Sequence, residues 1–164
     1  MNYNPDKHKR KSIRLDGYDY SQEGLYFVTL LCFQRIHLFG SIDHGKVFLT
    51  EGGRNGKLCW EAIPDHYPLV RLHEFVIMPN HLHGILEIIP HEKSKGEKSF
   101  APNTNSFRSP SRTIGSVIRG FKIGVTKWYR KNTQIEKVWH RNYHEHIIRD
   151  LSDYHRISTY IRDN

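Results

Sequence analysis

Cysteine is scarce. Cys32 and Cys59 are the only two in 164 residues and lie far apart. That spacing argues against a disulfide scaffold and supplies no CxxC metal or redox pair, so a reducing cytoplasm is the expected compartment. Long apolar runs are also missing, so no segment is expected to span a bilayer and no membrane partner is expected. The opening stretch MNYNPDKHKRKSIRL carries basic residues with no apolar run behind them, which is not the pattern of a secretory signal. There is no HExxH segment, so the zinc-hydrolase helix with two histidines one turn apart is absent. Acidic residues are in deficit, 17 against 25 Lys and Arg, leaving a formal charge of +8. A basic surface favours polyanions, nucleic acid ahead of a membrane surface; the plain alternative is a solvated charged face.

What is present reads as one domain. Residues 1–20 form a polar, basic N-terminal arm, and 21–164 a single domain with a flexible insertion at 91–110, where the chain turns polar and proline-bearing. LYFVTLLCF is rich in aromatic and branched residues and predicts a strand. FGSIDHGKVFLTEGG predicts a short hairpin or loop, and a glycine-laden helix follows from about Thr50 to Ile63. PLVRLHEFVIMPN predicts a strand closed by a Pro-Asn turn, and HLHGILEII the next strand, apolar on both faces. After the insertion, Ser111 is a candidate cap for a helix whose Ile114, Val117, Ile118, Phe121, Val125 and Trp128 share a face. VWHRNYHEHIIRD predicts a loop and a short strand. LSDYHRISTYIRDN predicts a last helix capped by Asp150, with Tyr154, Ile157 and Ile161 as its buried stripe. Strand, helix, strand, strand, helix, strand, helix, with the helices on one face, is an α+β arrangement. The order matches a ferredoxin-like antiparallel sheet with packed helices.

His81 and His83 sit two residues apart in the second of the paired strands. Alternation puts both imidazoles on one face, where they can reach one metal ion from a stiff wall. Gly84 keeps the opposite face small. The plain alternative is one buried, hydrogen-bonded ring and one exposed ring. A third ligand must come from elsewhere. Glu87 shares the face but sits further along, and His144 and His146 form a second alternating pair. Ligand chemistry alone leaves a His-rich zinc hydrolase open.

The blocks RKSIRLDGYDY, YFVTLLCFQRIHLFG, FVIMPNHLHGI, VWHRNYHEHIIRD and DYHRISTYIRDN, in this order, make the chain resemble the single-tyrosine HUH transposases. HUH denotes histidine, bulky apolar residue, histidine, here His81-Leu82-His83. The resemblance is to the branch associated with repetitive extragenic palindromes (REP), and the blocks cover most of the chain outside 91–110. It implies an HUH nuclease fold and a transposase or endonuclease that cleaves and rejoins single-stranded DNA through a 5′-phosphotyrosine intermediate at hairpin-associated sites.

The resemblance also assigns residues. Tyr160 matches the nucleophile on the last helix, and Tyr143 a supporting aromatic position. Asn164, four residues after Tyr160, matches the polar residue that completes a metal site with His81 and His83, the ion being magnesium or manganese. His146 and Arg149 match recurring family positions, and Glu145 stands beside them as a further supporting residue. Arg10, Lys11 and Arg14 resemble a block that engages DNA beside a hairpin. From the residues themselves, Arg112, Arg119, Lys122 and Arg130 are candidates for an outward basic stripe on the long helix that holds phosphates. Tyr18 and Tyr20 are candidate base-stacking residues. The expected partner is single-stranded or hairpin DNA, bound by a monomer or homodimer. A catalytically silent DNA-binding regulator on the same fold is the competing function, ahead of a zinc-dependent hydrolase.

Overall fold

The structure is a computed structural model, which describes residues 22–90 and 113–164. The basic arm with Arg10, Lys11, Arg14, Tyr18 and Tyr20, the insertion at 91–110, Ser111 and Arg112 lie outside the described residues.

The chain runs β1 (Gly24–Leu31), one 3₁₀ turn (Phe33–Arg35), β2 (Gly40–Asp43), β3 (Lys46–Leu49), α1 (Glu51–Glu61), α2 (Ile63–His66), β4 (Val70–Met78), β5 (His81–Ile88), α3 (Ile114–Asn132), β6 (His144–Ile148) and α4 (Leu151–Arg162). Four strands pair antiparallel in the order β4-β5-β1-β6, the ferredoxin-like order foreseen from the element sequence. β2 and β3 form a separate hairpin. Its turn residues His44 and Gly45 both have positive φ, 48° and 73°, as a tight two-residue hairpin turn requires.

Alternation divides the sheet into two unlike faces. Tyr26, Val28 and Leu30 of β1 and Leu82, Leu86 and Ile88 of β5 enter the larger core with Trp60 of α1 and Ile114, Val117, Ile118, Phe121, Val125 and Tyr129 of α3. The intervening residues Leu25, Phe27 and Ile85 meet Ile148 of β6 and Tyr154, Ile157 and Ile161 of α4 in a smaller cluster on the reverse face. The expectation that all helices share one face is therefore corrected. The reverse face carries its own apolar residues, and α4 covers them.

Local chemistry explains the boundaries. Thr50 caps α1 by accepting from the Gly53 amide, and Asp150 caps α4 by accepting from the Asp153 amide. The cap of α3 is Thr113, not Ser111. Its side chain accepts from the Ser116 amide while Ser116 Oγ accepts from the Thr113 amide, a reciprocal capping box. The glycines of α1 suit a tight site, since a Cβ at Gly52 would fall 1.9 Å from the Tyr129 hydroxyl.

Candidate functional site

The reverse face of the sheet is where the histidines lie. β5 begins at His81, directly after the Pro79-Asn80 turn. His81, His83, Ile85 and Glu87 point toward the α4 side, and Leu82, Gly84, Leu86 and Ile88 toward the α1/α3 side. Gly84 is required there, because a Cβ at this position would meet Cζ2 of Trp60 at 2.4 Å. The bulk on one face thus fixes a small residue between strand positions that carry chemistry on the other.

Each imidazole is held at Nδ1. Nδ1 of His81 lies 2.7 Å from Oδ1 of Asn80. Thr29 is the cross-strand partner of His83, and its hydroxyl lies 2.8 Å from Nδ1 of that ring. The two imidazole centroids are 4.6 Å apart, and Phe27 stacks on His83 at 5.4 Å. His83 is buried, and burial, together with the charges of His81 and His144, pushes its pKa down to about 4. Burial also lowers the pKa of His81. Both rings are therefore neutral near neutral pH, the form that binds metal.

Tyr160 arrives from α4. Its ring is half exposed, edge-on to Phe27, and its hydroxyl lies 3.2 Å from Nε2 of His83. A tautomer with hydrogen on Nδ1 donates to Thr29 and lets Nε2 accept from the phenol. The connector between β6 and α4 is only Arg149 and Asp150, so the tyrosine and the histidines meet within one chain.

The donor set fits a divalent ion. Two neutral imidazoles, each hydrogen-bonded through Nδ1, leave Nε2 as the nitrogen that could bind an ion. No group of three or more His, Cys, Asp or Glu converges as a metal cage among the described residues. A third protein donor would be of another type, and an amide is one. Asn164 is exposed and lies just past the last helical residue, Arg162, and its cap Asp163, so its one-turn relation to Tyr160 holds in sequence rather than along a continuous helix.

The remaining expected residues scatter. His146 shares the reverse face, but its Nε2 lies 2.7 Å from Oδ2 of Asp153 in the first turn of α4. The hydrogen bond from His146 is the main influence that lowers the Asp153 pKa. Glu145 alternates to the other face, its carboxylate oxygens buried. Arg149 is exposed in the connector. Tyr143 packs against the larger core. Arg119 and Arg130 are exposed on α3, across the sheet from the histidines. Lys122 donates to the carbonyls of His140 and Asn142, both at 3.0 Å, beside the rings of Trp139 and Tyr143. Burial lowers its pKa to about 8. Its ammonium is engaged within the fold.

Sequence reasoning missed Thr29 and Phe27. Thr29 and Phe27 are adjacent to His83 only through the β1–β5 register. His144 completes a row across three strands, His83–Thr29–His144. One signal was present: Thr29 is the single serine or threonine in a strand otherwise made of aromatic and aliphatic residues and a glycine.

Comparison with known proteins follows the same lines. No family model matches the chain. It is 49% identical over 166 residues to an uncharacterised protein of Haemophilus influenzae, covering 99% of this chain and 91% of that protein. It is 24% identical over 136 residues to a protein of the same organism named "Putative REP-associated tyrosine transposase", covering 82% of this chain and 66% of that protein. Its fold matches the structure of a REP-associated tyrosine transposase bound to a REP hairpin. That match has TM-score 0.61 and 18% identity, and covers 92% of this chain and 70% of the other. The resemblance read from the sequence thus has a counterpart in both sequence and fold.

Proposed function

We propose that this chain, which belongs to one family with the uncharacterised Haemophilus influenzae protein and resembles the REP-associated tyrosine transposases, cleaves and rejoins single-stranded DNA. The bound REP hairpin of the structural relative supports hairpin-bearing DNA as the substrate class. The observation that carries the chemistry is the Tyr160 hydroxyl 3.2 Å from Nε2 of His83. A phenol hydrogen-bonded to one of two adjacent neutral imidazoles on a sheet is an oxygen nucleophile held in place beside the candidate ion site.

In the proposed reaction the Tyr160 oxygen attacks a phosphodiester. A Tyr–O–P bond forms, the P–O3′ bond breaks, and the 3′ oxygen leaves with a proton as a free hydroxyl. The 5′ phosphate stays on the tyrosine, so the bond energy is kept without ATP. Attack by a 3′ hydroxyl reverses the step and joins strands. A magnesium or manganese ion held by His81 and His83, with Asn164 as third donor, would polarise the scissile phosphate. Asn80 and Thr29 orient the two rings, and Phe27 fixes the plane of His83. Nε2 of His83 accepts the phenol hydrogen bond and is also the nitrogen an ion would use, so the two occupations are alternatives.

The experiment is incubation of the protein with labelled single-stranded and hairpin DNA in manganese, followed by a denaturing gel. A covalent protein–DNA adduct is expected. DNA binding without adduct would favour the silent regulator, and hydrolysis of small substrates independent of Tyr160 would favour the zinc hydrolase.

A further inference from the structure

A second polar cluster lies on the same face, further along β5 from His83, and the DNA chemistry does not use it. It begins with a defect in the sheet. The β4–β5 register shifts between Leu72 and Phe75, a bulge with one extra residue on β4. The bulge turns two consecutive side chains, His73 and Glu74, toward α4. Both meet the hydroxyl of Tyr154: Nδ1 of His73 at 3.1 Å and Oε2 of Glu74 at 3.0 Å. Nε2 of His73 lies 3.1 Å from Oε2 of Glu87 on β5. Arg162, two turns further along α4, stands 3.7 Å from the other Glu74 oxygen. Tyr154 and Arg162 thus attach one stripe of α4 to β4, while Tyr160, on the neighbouring stripe, reaches His83.

The hydrogens in this chain can be counted. Arg162 and the Tyr154 hydroxyl beside Glu74 keep its carboxylate ionised. Its pKa is lowered despite burial, through its own amide, Tyr154, Ser158 and Arg162. An ionised Glu74 accepts the one phenolic hydrogen of Tyr154. The contact between Tyr154 oxygen and Nδ1 of His73 then needs a hydrogen on Nδ1. The Glu87 carboxylate needs another on Nε2. All three bonds are made together only if both ring nitrogens of His73 carry hydrogens. The charged and titratable groups around the ring are Glu87 from β5, Tyr154 and Arg162 from α4, and Glu74 from β4 itself. Arg71 pairs with Glu87 across the strands.

We infer that His73 and Tyr154 are positioning residues that hold α4 in the register where Tyr160 reaches His83, and that this latch is complete only while His73 is doubly protonated. Loss of one proton removes a link between β4 and α4 and loosens the helix that carries the tyrosine. A misplacement of the reacting group by about 1 Å can cost on the order of a hundredfold in rate, so a small release suffices. The role assigned to Tyr160 is that of the proposed reaction, on which this inference rests; the latch itself does not.

Two readouts test it on the full chain. The first is hydrogen exchange of α4 amides, corrected for intrinsic exchange, from mildly acid to mildly alkaline pH. Wild type is expected to lose α4 protection as pH rises, and H73Q and Y154F to show low protection at every pH while the sheet stays protected. The second is the single-turnover rate of adduct formation at saturating hairpin DNA. Both variants are expected to lower the rate constant by about tenfold to a hundredfold with DNA affinity unchanged. Wild-type protection that does not vary with pH, or variants with an unchanged rate constant, would overturn the latch. Absence of adduct in wild type would overturn the proposed reaction instead, and exchange would still decide the latch.

Discussion

Thr29 and His83 face each other across β1 and β5, hydroxyl to Nδ1 at 2.8 Å. This one bond fixes which nitrogen of a buried imidazole is left for chemistry. Thr29→Val keeps the shape and removes the partner. An unsatisfied buried donor costs about 1–3 kcal/mol, and loss of an outer-shell partner lowers metal affinity by about ten- to a hundredfold. Manganese titration and urea melts of the variant check both effects, and metal affinity equal to wild type would remove Thr29 from the site.

Acid should destabilise the metal-free protein through His83. Its folded pKa of about 4 lies below an unfolded value of about 6.5. Between those values the unfolded chain binds the proton and the folded chain does not. Stability present above about 6.5 is therefore lost as pH falls toward about 4, by roughly 3 kcal/mol for a shift of that size. Urea melts with chelator across this window are expected to show the slope, and His83→Gln to flatten it.

Gly84→Ala should destabilise without touching either histidine. The added methyl collides with the Trp60 ring, and overpacking of this kind costs about 1–3 kcal/mol. Trp60→Leu removes the ring it meets, so the double mutant should lose less than the sum of the two single mutants. Additive thermal shifts would mean that the contact is not the cause.

Lys122 and Arg119 should now separate. Lys122→Met leaves the His140 and Asn142 carbonyls without their donor and should lower the melting temperature. Arg119→Ala, exposed on α3, should leave it unchanged. If α3 holds phosphates, Arg119→Ala also flattens the salt dependence of DNA binding by about one unit. An unchanged slope would move the DNA path to the histidine face.

Much of this arrangement was readable in the chain. Period-two alternation placed His81 and His83 on one face, and period 3.6 placed Ile157 and Ile161 under α4, because both follow from backbone geometry alone. Thr113 outcompeted Ser111 as cap because its hydroxyl can pair reciprocally with Ser116, a choice between neighbours that composition cannot rank. The reach of Tyr160 to His83, the Thr29 bond and the bulge at His73-Glu74 depend on strand register. Register is a contact between distant segments and leaves no local trace. Lys122 looked like a phosphate ligand because helical periodicity does not reveal the loop carbonyls that fold over it.

The most direct test of Tyr160 as nucleophile is the adduct assay run in parallel on wild type, Tyr160→Phe and Tyr143→Phe, in manganese with labelled hairpin DNA and with folding checked by circular dichroism. Phenylalanine keeps the ring against Phe27 and removes only the oxygen that forms the phosphodiester. Wild type and Tyr143→Phe are expected to give adduct, and folded Tyr160→Phe none. Adduct from Tyr160→Phe, or its loss only in Tyr143→Phe, would contradict the assignment.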